Sequence, residues 1–265
     1  MEYKVFLEEV LIRSSEIALT FFGKVSGVVK KEDNNQVLTD ADIAIGKYIV
    51  DSIRQEFSKH NIIDEEAGVV NNSSEYTWVV DPIDGTSNFA NGLPMYGIMI
   101  GLLQGDNPIV GGIALPSFSE IYYAEKDKGT SLGDIKTSVS SETNLLSTLV
   151  AYGIDGHQED PSLTRDEVKL FGEIVLNIRN LRSSNSAFDS VMVAQGKYGA
   201  SLNKTSKIWD NVAQQIIIEE AGGVYTDFFG NPMDYQNPLS RVNENYTWCF
   251  GAPKLHKELQ EIIHK

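Results

Sequence analysis

The chain has 265 residues, 42% of them hydrophobic, so it can bury a sizeable core as one large domain or two closely packed lobes. It carries 37 acidic residues against 22 Lys and Arg, a formal net charge of −15. Such a surface repels nucleic acid and anionic lipid, which argues against both as partners. Cys249 is the only cysteine, which excludes an intrachain disulfide framework and makes a reducing, cytoplasmic setting the default expectation.

Two helices are predicted in the first sixty residues. Residues 1–23 mix apolar and charged positions as in an amphipathic helix closed by a glycine, a pattern that fits neither a signal peptide nor a membrane span. Apolar residues recur at helical spacing from Ile45 to Phe57, and the Thr-Asp-Ala-Asp sequence at 39–42 resembles an N-terminal capping box. The polar stretches 30–36 and 70–75 are predicted to be surface loops.

Runs of apolar residues separated by Gly, Pro, Asp and Asn then predict an antiparallel sheet in the first half. The predicted strands are Tyr76–Val80, Tyr96–Leu103, Ile109–Leu115 and Glu120–Ala124. The second half alternates strand and helix, with helices at 165–180 and 211–221 and a strand at 224–226. These elements predict an α/β (α+β) protein, divided softly into an N-terminal lobe of residues 1–140 and a C-terminal lobe of residues 141–265.

A strand that ends in an acidic turn is the most informative segment. Residues 78–89 read Trp-Val-Val-Asp-Pro-Ile-Asp-Gly-Thr-Ser-Asn-Phe. Pro82 fixes its own φ and biases Asp81 toward an extended backbone, so the chain turns sharply there. The turn can aim Asp81, Asp84 and the Ile83 carbonyl at one point, and these are hard oxygen ligands of the kind that Mg²⁺ prefers.

The residues after the acidic turn suggest an adjoining anion site. If Gly85 and Thr86 begin a helix, their N–H groups lie at its positive end and can hold a phosphate beside the metal. The alternative interpretation is a tight turn whose Asp residues merely cap a helix. The full string is more specific than that, and it resembles the signature of the inositol monophosphatase family.

The resemblance runs from about Lys31 to the C-terminus, through three further motifs in the same chain order. Residues 62–67 resemble the family's hydrophobic-Gly-Glu-Glu segment, with Asp64 in place of the Gly, which implies that Glu65 binds metal and helps to orient the attacking water. The sequence at 39–42 resembles the Val-Thr-x-x-Asp element, which implies that Asp42 lies near that water and a third, weaker metal site. Asp42 also suits a helix cap, and both roles are compatible.

The last motif lies late in the chain. Residues 207–213, followed by Glu-Glu-Ala-Gly-Gly at 219–223, resemble the family's second signature and imply that Asp210 is the remaining metal ligand. Without the rest of the pattern, an Asp in that position would be interpreted as a helix N-cap.

The resemblance is weakest in the substrate pocket. The stretch at 182–187, Arg-Ser-Ser-Asn-Ser-Ala, matches an Arg-x-Gly-Ser-Ala-Ala run that lines the sugar pocket in relatives, but it lacks the Gly. Animal inositol monophosphatases carry a Glu at the position of Asn203, and an amide both donates and accepts without charge. The implied substrate-binding residues are Gly85, Thr86, Ser184, Asn185, Ser186, Asn203 and Asp210.

Taken together, the resemblance implies a layered αβαβα sandwich with a mixed sheet in the C-terminal half, a homodimer, and a lithium-sensitive, Mg²⁺-dependent phosphatase. The implied reaction releases phosphate from a small phosphorylated polyol or sugar, with two Mg²⁺ about 4 Å apart activating water. The implied metal ligands are Glu65, Asp81, Ile83, Asp84 and Asp210, and the catalytic residues are Glu65, Thr86 and Asp42. The alternatives are a fructose-1,6-bisphosphatase, a nucleotide 3′-phosphatase, or a relative acting mainly as a partner-binding regulator.

Overall fold

The computed structural model describes residues 3–24, 27–30 and 33–265. The helices are α1 Tyr3–Phe21, α2 Asp40–Glu56, α3 Thr86–Ala90, α4 Pro161–Leu176, α5 Ala187–Ala194, α6 Ile208–Glu220 and α7 Pro253–Ile263. The strands of the first half are β1 Val28–Lys30, β2 Asp33–Leu38, β3 Asn61–Asp64, β4 Gly68–Val70, β5 Tyr76–Asp84, β6 Gly97–Gln104, β7 Asn107–Leu115, β8 Glu120–Glu125, β9 Gly129–Leu132 and β10 Ile135–Lys136. Those of the second half are β11 Leu149–Gly153, β12 Asn180–Arg182, β13 Ala200–Ser206, β14 Val224–Thr226 and β15 Tyr246–Gly251.

Within the described residues, two large sheets form the framework. The first has eight strands in the order β10-β9-β8-β7-β6-β5-β3-β4, and its neighbours are antiparallel except for the parallel pair β3 and β5. The second has five strands in the order β12-β11-β13-β15-β14, with parallel pairing around β11 and antiparallel pairing around β15. The predicted antiparallel sheet and mixed sheet are therefore confirmed, with one parallel pair in the former.

Helices cover both faces of each sheet, which confirms the αβαβα layering. A Cβ on Gly112 of β7 would lie 2.7 Å from Leu11 of α1, whereas one on neighbouring Gly111 would lie 2.7 Å from the Ala213 carbonyl of α6. Successive strand residues face opposite ways, so α1 and α6 sit on opposite faces of this sheet. On the far side of the second sheet, Ile174 of α4 and Leu259 of α7 pack into one core cluster with its strands.

The predicted start of a helix is most accurate where a capping residue close in sequence determines it. The capping box of α2 is confirmed, since the Thr39 N–H donates to Asp42 Oδ2 at 2.7 Å and the Ala41 N–H donates to Thr39 Oγ1 at 3.2 Å. The helix predicted at 165–180 is shifted, because Asp160 caps α4 and Pro161 occupies its first turn. The predicted helix at 211–221 starts earlier, at Ile208.

The two predicted loops differ in outcome. The stretch 30–36 was predicted wrongly, because Lys30 ends β1 and residues 33–36 belong to β2, while residues 31–32 lie outside the described residues. The loop predicted at 70–75 is confirmed apart from Val70, which ends β4. Among the residues described, no helix combines the length and the apolar character that a bilayer crossing requires.

Candidate active site

Three aspartates from two distant segments meet at the end of β5. Carboxylate oxygens of Asp81, Asp84 and Asp210 all lie within 4.8 Å of one another. The ladder between β5 and β6 is irregular between Asp81 and Asp84, where Pro82 has no N–H to donate, so both carboxylates leave the same strand end. Asp210 enters from the first turn of α6, which packs against that sheet.

Backbone donors anchor two of the three carboxylates. Asp84 accepts the N–H of Ala187 at the start of α5, and Asp210 Oδ2 accepts the N–H of Lys207 at 2.5 Å. Asp81 is 1% exposed, and its Oδ1 has no hydrogen-bond partner among the described residues. A buried carboxylate oxygen without a donor is costly unless a cation binds it.

The electrostatics of the cluster also fit a cation. Burial, followed by repulsion from Glu65, raises the pKa of Asp81 well above its ordinary value. Burial and then the charge of Asp210 do the same to the pKa of Asp84, and burial raises the pKa of Asp210 to about 6. Each carboxyl therefore resists ionisation beside the others, and a bound divalent cation would reverse that repulsion. This set of hard oxygen donors fits Mg²⁺.

The Thr86 hydroxyl connects the acidic turn to α2. It donates to the Ile83 carbonyl at 2.7 Å and also lies 3.3 Å from Asp42 Oδ1. Asp42 is 1% exposed, and burial, opposed by its hydrogen bonds from Thr39, raises its pKa to about 6. Asp42 therefore caps α2 and contacts the site through Thr86.

The departure from the family pattern at Asp64 has a structural explanation. The Oδ1 atom of Asp64 accepts the N–H groups of Glu66 at 3.0 Å and Ala67 at 2.6 Å. These bonds form an Asx-type turn immediately after β3. Glu65 lies at the head of this turn, half-buried, and its N–H donates to the Val80 carbonyl at 3.2 Å.

A cavity of about 260 Å³ opens over the cluster. The cavity is lined by all the site residues predicted from sequence except Asp42, which lies behind Thr86. These lining residues are Glu65, Asp81, Ile83, Asp84, Gly85, Thr86, Ser184, Asn185, Ser186, Asn203 and Asp210. Lining residues that sequence reasoning missed include Asp155, Lys207, Trp209 and Trp248. Asp155 lies just after β11, in the same way that Asp81 lies at the end of an apolar run. An acidic residue after an apolar run is therefore the signal that could have identified it.

The stretch before α5 is held close to the acidic turn. Asp189, which sequence reasoning also missed, accepts the N–H groups of Ser184 at 3.0 Å and Asn185 at 3.2 Å through Oδ2. Gly85 has φ +84, and a Cβ there would lie 2.7 Å from the Ser186 Cβ. Only glycine therefore allows the turn and the pocket wall to approach this closely.

Comparisons with known proteins show which family this chain resembles over its whole length. The sequence profile of the inositol monophosphatase family matches residues 2–264. The fructose-1,6-bisphosphatase/inositol-1-monophosphatase of Aquifex aeolicus (strain VF5) is 31% identical over 244 residues, 90% of each chain. The Nus factor SuhB of Pasteurella multocida (strain Pm70) is 29% identical over 201 residues, 75% of this chain and 74% of its own. The solved Thermotoga maritima IMPase superposes with a TM-score of 0.87 at 26% identity, covering 100% of this chain and 97% of that one.

The layered fold and its acidic cleft define a phosphoric monoester hydrolase with a candidate metal site. The profile match spans nearly the whole chain, and the 31% identical relative is covered over most of its length. The chain belongs to the inositol monophosphatase family.

Proposed function

We propose that this protein is a Mg²⁺-dependent phosphomonoesterase that hydrolyses a small phosphorylated polyol or sugar with water as the nucleophile. The observation that supports this most strongly is the convergence of Asp81, Asp84 and Asp210 within 4.8 Å, facing a cavity large enough for such a substrate. The cavity's other walls carry neutral amides and hydroxyls suited to alcohol groups, together with the charged side chains of Asp155 and Lys207.

The carboxylates of Glu65, Asp81, Asp84 and Asp210, with the Ile83 carbonyl, would hold two Mg²⁺. When bound, Mg²⁺ supplies positive charge that attracts the phosphate and stabilises the attacking and leaving oxygens. The net charge of −15 would otherwise repel a phosphate ester, so the acidic cleft and the anionic substrate are compatible only through cations.

The catalytic residues act on the water and the phosphate. Glu65 and the Thr86 hydroxyl orient the attacking water, and Asp42 holds the Thr86 side chain from behind. The Gly85 and Thr86 N–H groups bind phosphate oxygens. The water loses a proton and its oxygen forms a bond to phosphorus as the bond from phosphorus to the alcohol oxygen breaks. The alcohol oxygen takes up a proton from solvent, and no covalent phosphoenzyme is formed.

The alcohol leaves toward the wall formed by Ser184, Asn185, Ser186 and Asn203, beside Asp210. This wall would select the substrate by hydrogen bonds, since the metal ions and the turn bind only the phosphate. Fructose-1,6-bisphosphate is the main alternative substrate, because the Aquifex aeolicus relative's name includes that activity. A nucleotide 3′-phosphatase remains a further alternative.

A second candidate function is partner binding, which the similarity to proteins named Nus factor SuhB favours. Partner binding and hydrolysis are compatible in one protein. An Asp84→Asn variant that abolishes hydrolysis in vitro but causes no phenotype in cells would support the partner-binding function.

We also propose the two lobes, residues 1–140 and 141–265, a homodimer and a reducing, cytoplasmic setting. The proposed boundary falls between β10, which ends the chain's path through the first sheet, and β11, which begins the second. Light scattering coupled to size-exclusion chromatography tests the dimer.

The experiment for the proposed function is a substrate panel at saturating Mg²⁺. Inositol 1-phosphate, glycerol 2-phosphate, a hexose phosphate, fructose 1,6-bisphosphate and a nucleotide 3′-phosphate are compared by kcat/KM. We expect efficient hydrolysis of at least one polyol or sugar monophosphate. If the enzyme hydrolyses none of these substrates, the proposal is contradicted. If it hydrolyses only the nucleotide, the alternative of a nucleotide 3′-phosphatase takes its place.

A further inference from the structure

A chain of buried side-chain hydrogen bonds joins helix α5 to helix α6 and to the strands β13 and β14. The Ser190 hydroxyl donates to Gln214 Oε1, and Gln214 Nε2 donates to the Tyr225 hydroxyl at 2.7 Å. The Tyr225 hydroxyl donates to Asn211 Oδ1 at 2.9 Å, and Asn211 Nδ2 donates to the Ser206 hydroxyl at 2.9 Å. These five side chains, the buried network, are each at most 6% exposed.

The buried network lies one helical turn below two carboxylates of the acidic cluster. At the start of α5 the Ala187 N–H donates to Asp84, and Ser190 follows three residues later in that helix. In α6, Asp210 and Gln214 are four residues apart, so they share one face of the helix and lie about 6 Å apart along its axis. Gln214 accordingly lines the same cavity as Asp210.

The network also fixes the backbone that anchors Asp210. Asn211 Nδ2 donates to the Lys207 carbonyl at 2.6 Å, and the Lys207 N–H donates to Asp210 Oδ2 at 2.5 Å. The Ser206 hydroxyl donates to the Tyr246 carbonyl of β15 at 2.9 Å. Asn211 therefore ties the capping residue of α6 to the second sheet, and with it the carboxylate that this residue holds.

The charges at the cluster oppose this arrangement in the metal-free protein. Burial and then the charge of Asp210 raise the pKa of Asp84, so the two carboxylates repel each other when both are ionised. Val191 of α5 and Ile217 of α6 belong to one apolar core cluster, but apolar contact is non-directional. Hydrogen bonds depend on distance and angle, so the buried network fixes how the two helices are placed against each other.

We propose that the buried network is a positioning device that holds Asp84 and Asp210 at metal-binding spacing before a cation binds, with Gln214 and Tyr225 as its central positioning residues. The inference rests on the proposed phosphatase function and deepens it. Ligands that are already in place lose less conformational freedom on binding, so preorganisation raises the affinity for the metal. Breaking the network should therefore weaken metal binding more than it slows the fully metal-loaded enzyme.

The test measures binding of Mn²⁺, which takes the same hard oxygen ligands as Mg²⁺, to the metal-free enzyme without substrate. Electron paramagnetic resonance gives the free Mn²⁺ and hence Kd. Tyr225→Phe deletes only the hydroxyl in the middle of the network, and Ser190→Ala deletes only the donor that crosses between the helices. We expect Kd to rise about five- to tenfold in each, because each leaves buried polar groups of the network unpaired. At saturating Mg²⁺, kcat should stay within about threefold of the wild type, since bound cations then hold the carboxylates.

Tyr235→Phe is the matched control, because it deletes another buried tyrosine hydroxyl that is bonded to α6. That hydroxyl donates to Gln215 Oε1 at 2.8 Å, and Tyr235 is 1% exposed. We expect this variant to lower Tm as much as Tyr225→Phe does but to change Kd by less than about twofold.

An unchanged Kd in the folded network variants, or an equal rise in the Tyr235 control, would overturn the inference. Ser190→Ala alone decides between these outcomes if Tyr225→Phe does not fold. A wild-type enzyme that binds no Mn²⁺ and hydrolyses none of the panel substrates would instead overturn the proposed function, and this inference with it.

Discussion

Replacing Asp84 by Asn removes one negative charge from the proposed metal site with almost no change in shape. The Asn oxygen can still accept the N–H of Ala187, as Asp84 does now, so the contact between the acidic turn and α5 is preserved. In the metal-free protein the substitution also removes the charge whose burial, together with repulsion from Asp210, raises the pKa of Asp84. The variant should therefore fold, with a melting temperature at or above that of the wild type without metal.

The expected loss of activity follows from the geometry of the cluster. The three carboxylates have oxygens within 4.8 Å of one another, so a cation among them interacts closely with each charge. Two unit charges about 5 Å apart interact by about 3 kcal/mol at an effective dielectric constant of about 20. Losing one such interaction in the transition state lowers turnover by at least about a hundredfold.

The assay is phosphate release by purified Asp84→Asn at saturating Mg²⁺, with circular dichroism and thermal melting to establish folding. Asp166→Asn is the control, since Asp166 lies exposed on α4 and is paired with Lys169 at 2.7 Å. It should retain wild-type turnover. Near-normal turnover of a folded Asp84→Asn protein would refute the assignment of this carboxylate to the metal site.

Three further predictions concern pH, lithium and the pocket wall. Burial raises the folded-state pKa of Asp42 and of Asp210 to about 6, so the metal-free protein should gain stability as pH falls from about 7 toward 4. Because Mg²⁺ competes with those protons, differential scanning fluorimetry should show a larger Mg²⁺-induced rise in Tm at about pH 8 than at about pH 5.5. LiCl at tens of millimolar should inhibit phosphate release relative to KCl, as the family resemblance implies. Gly153→Ala should destabilise the protein by about 1–3 kcal/mol in urea unfolding and raise KM, because its Cβ would collide with the amides of Asn185 and Asn203.

Each of these has a contrary outcome. A Mg²⁺-induced rise in Tm that is equal or larger at the lower pH would show that the metal does not bind the carboxyls with raised pKa. Activity unaffected by LiCl would place the protein in a lithium-resistant branch of its family, while the two-metal mechanism would survive. Wild-type stability and KM in Gly153→Ala would show that the amide pair moves aside freely.

The acidic cluster was predictable because its signals are local. Asp81 and Asp84 flank Pro82 at the end of an apolar run, and the structure brings them to one point at the end of β5. Asp210 required the family pattern, since an Asp at a helix start has a complete explanation as a cap, and it does accept the Lys207 N–H. Their roles as metal ligands stay predictions until metal binding is measured.

The parts that escaped prediction depend on partners distant in sequence. Asp155 accepts a hydrogen bond from the side-chain amide of Asn185. The backbone N–H of Asn185 in turn donates to Asp189, whose carboxylate no local motif marks. The resemblance implies that Asn203 binds the substrate, and the structure adds that its oxygen accepts the Thr205 N–H and its nitrogen donates to Asn185, two contacts that no local pattern marks. The polar residues 33–36 could not be assigned to a strand from composition, because pairing with β1 places them there.

The most direct test of the central claim is a Mg²⁺ titration of metal-depleted enzyme, following phosphate release from the best substrate of the panel and Tm in parallel. The account predicts no release in EDTA, a saturable rise in activity with Mg²⁺, and a rise in Tm over the same concentration range. Both responses should be weakened in Asp84→Asn. Equal phosphate release in EDTA and in saturating Mg²⁺ would contradict the account.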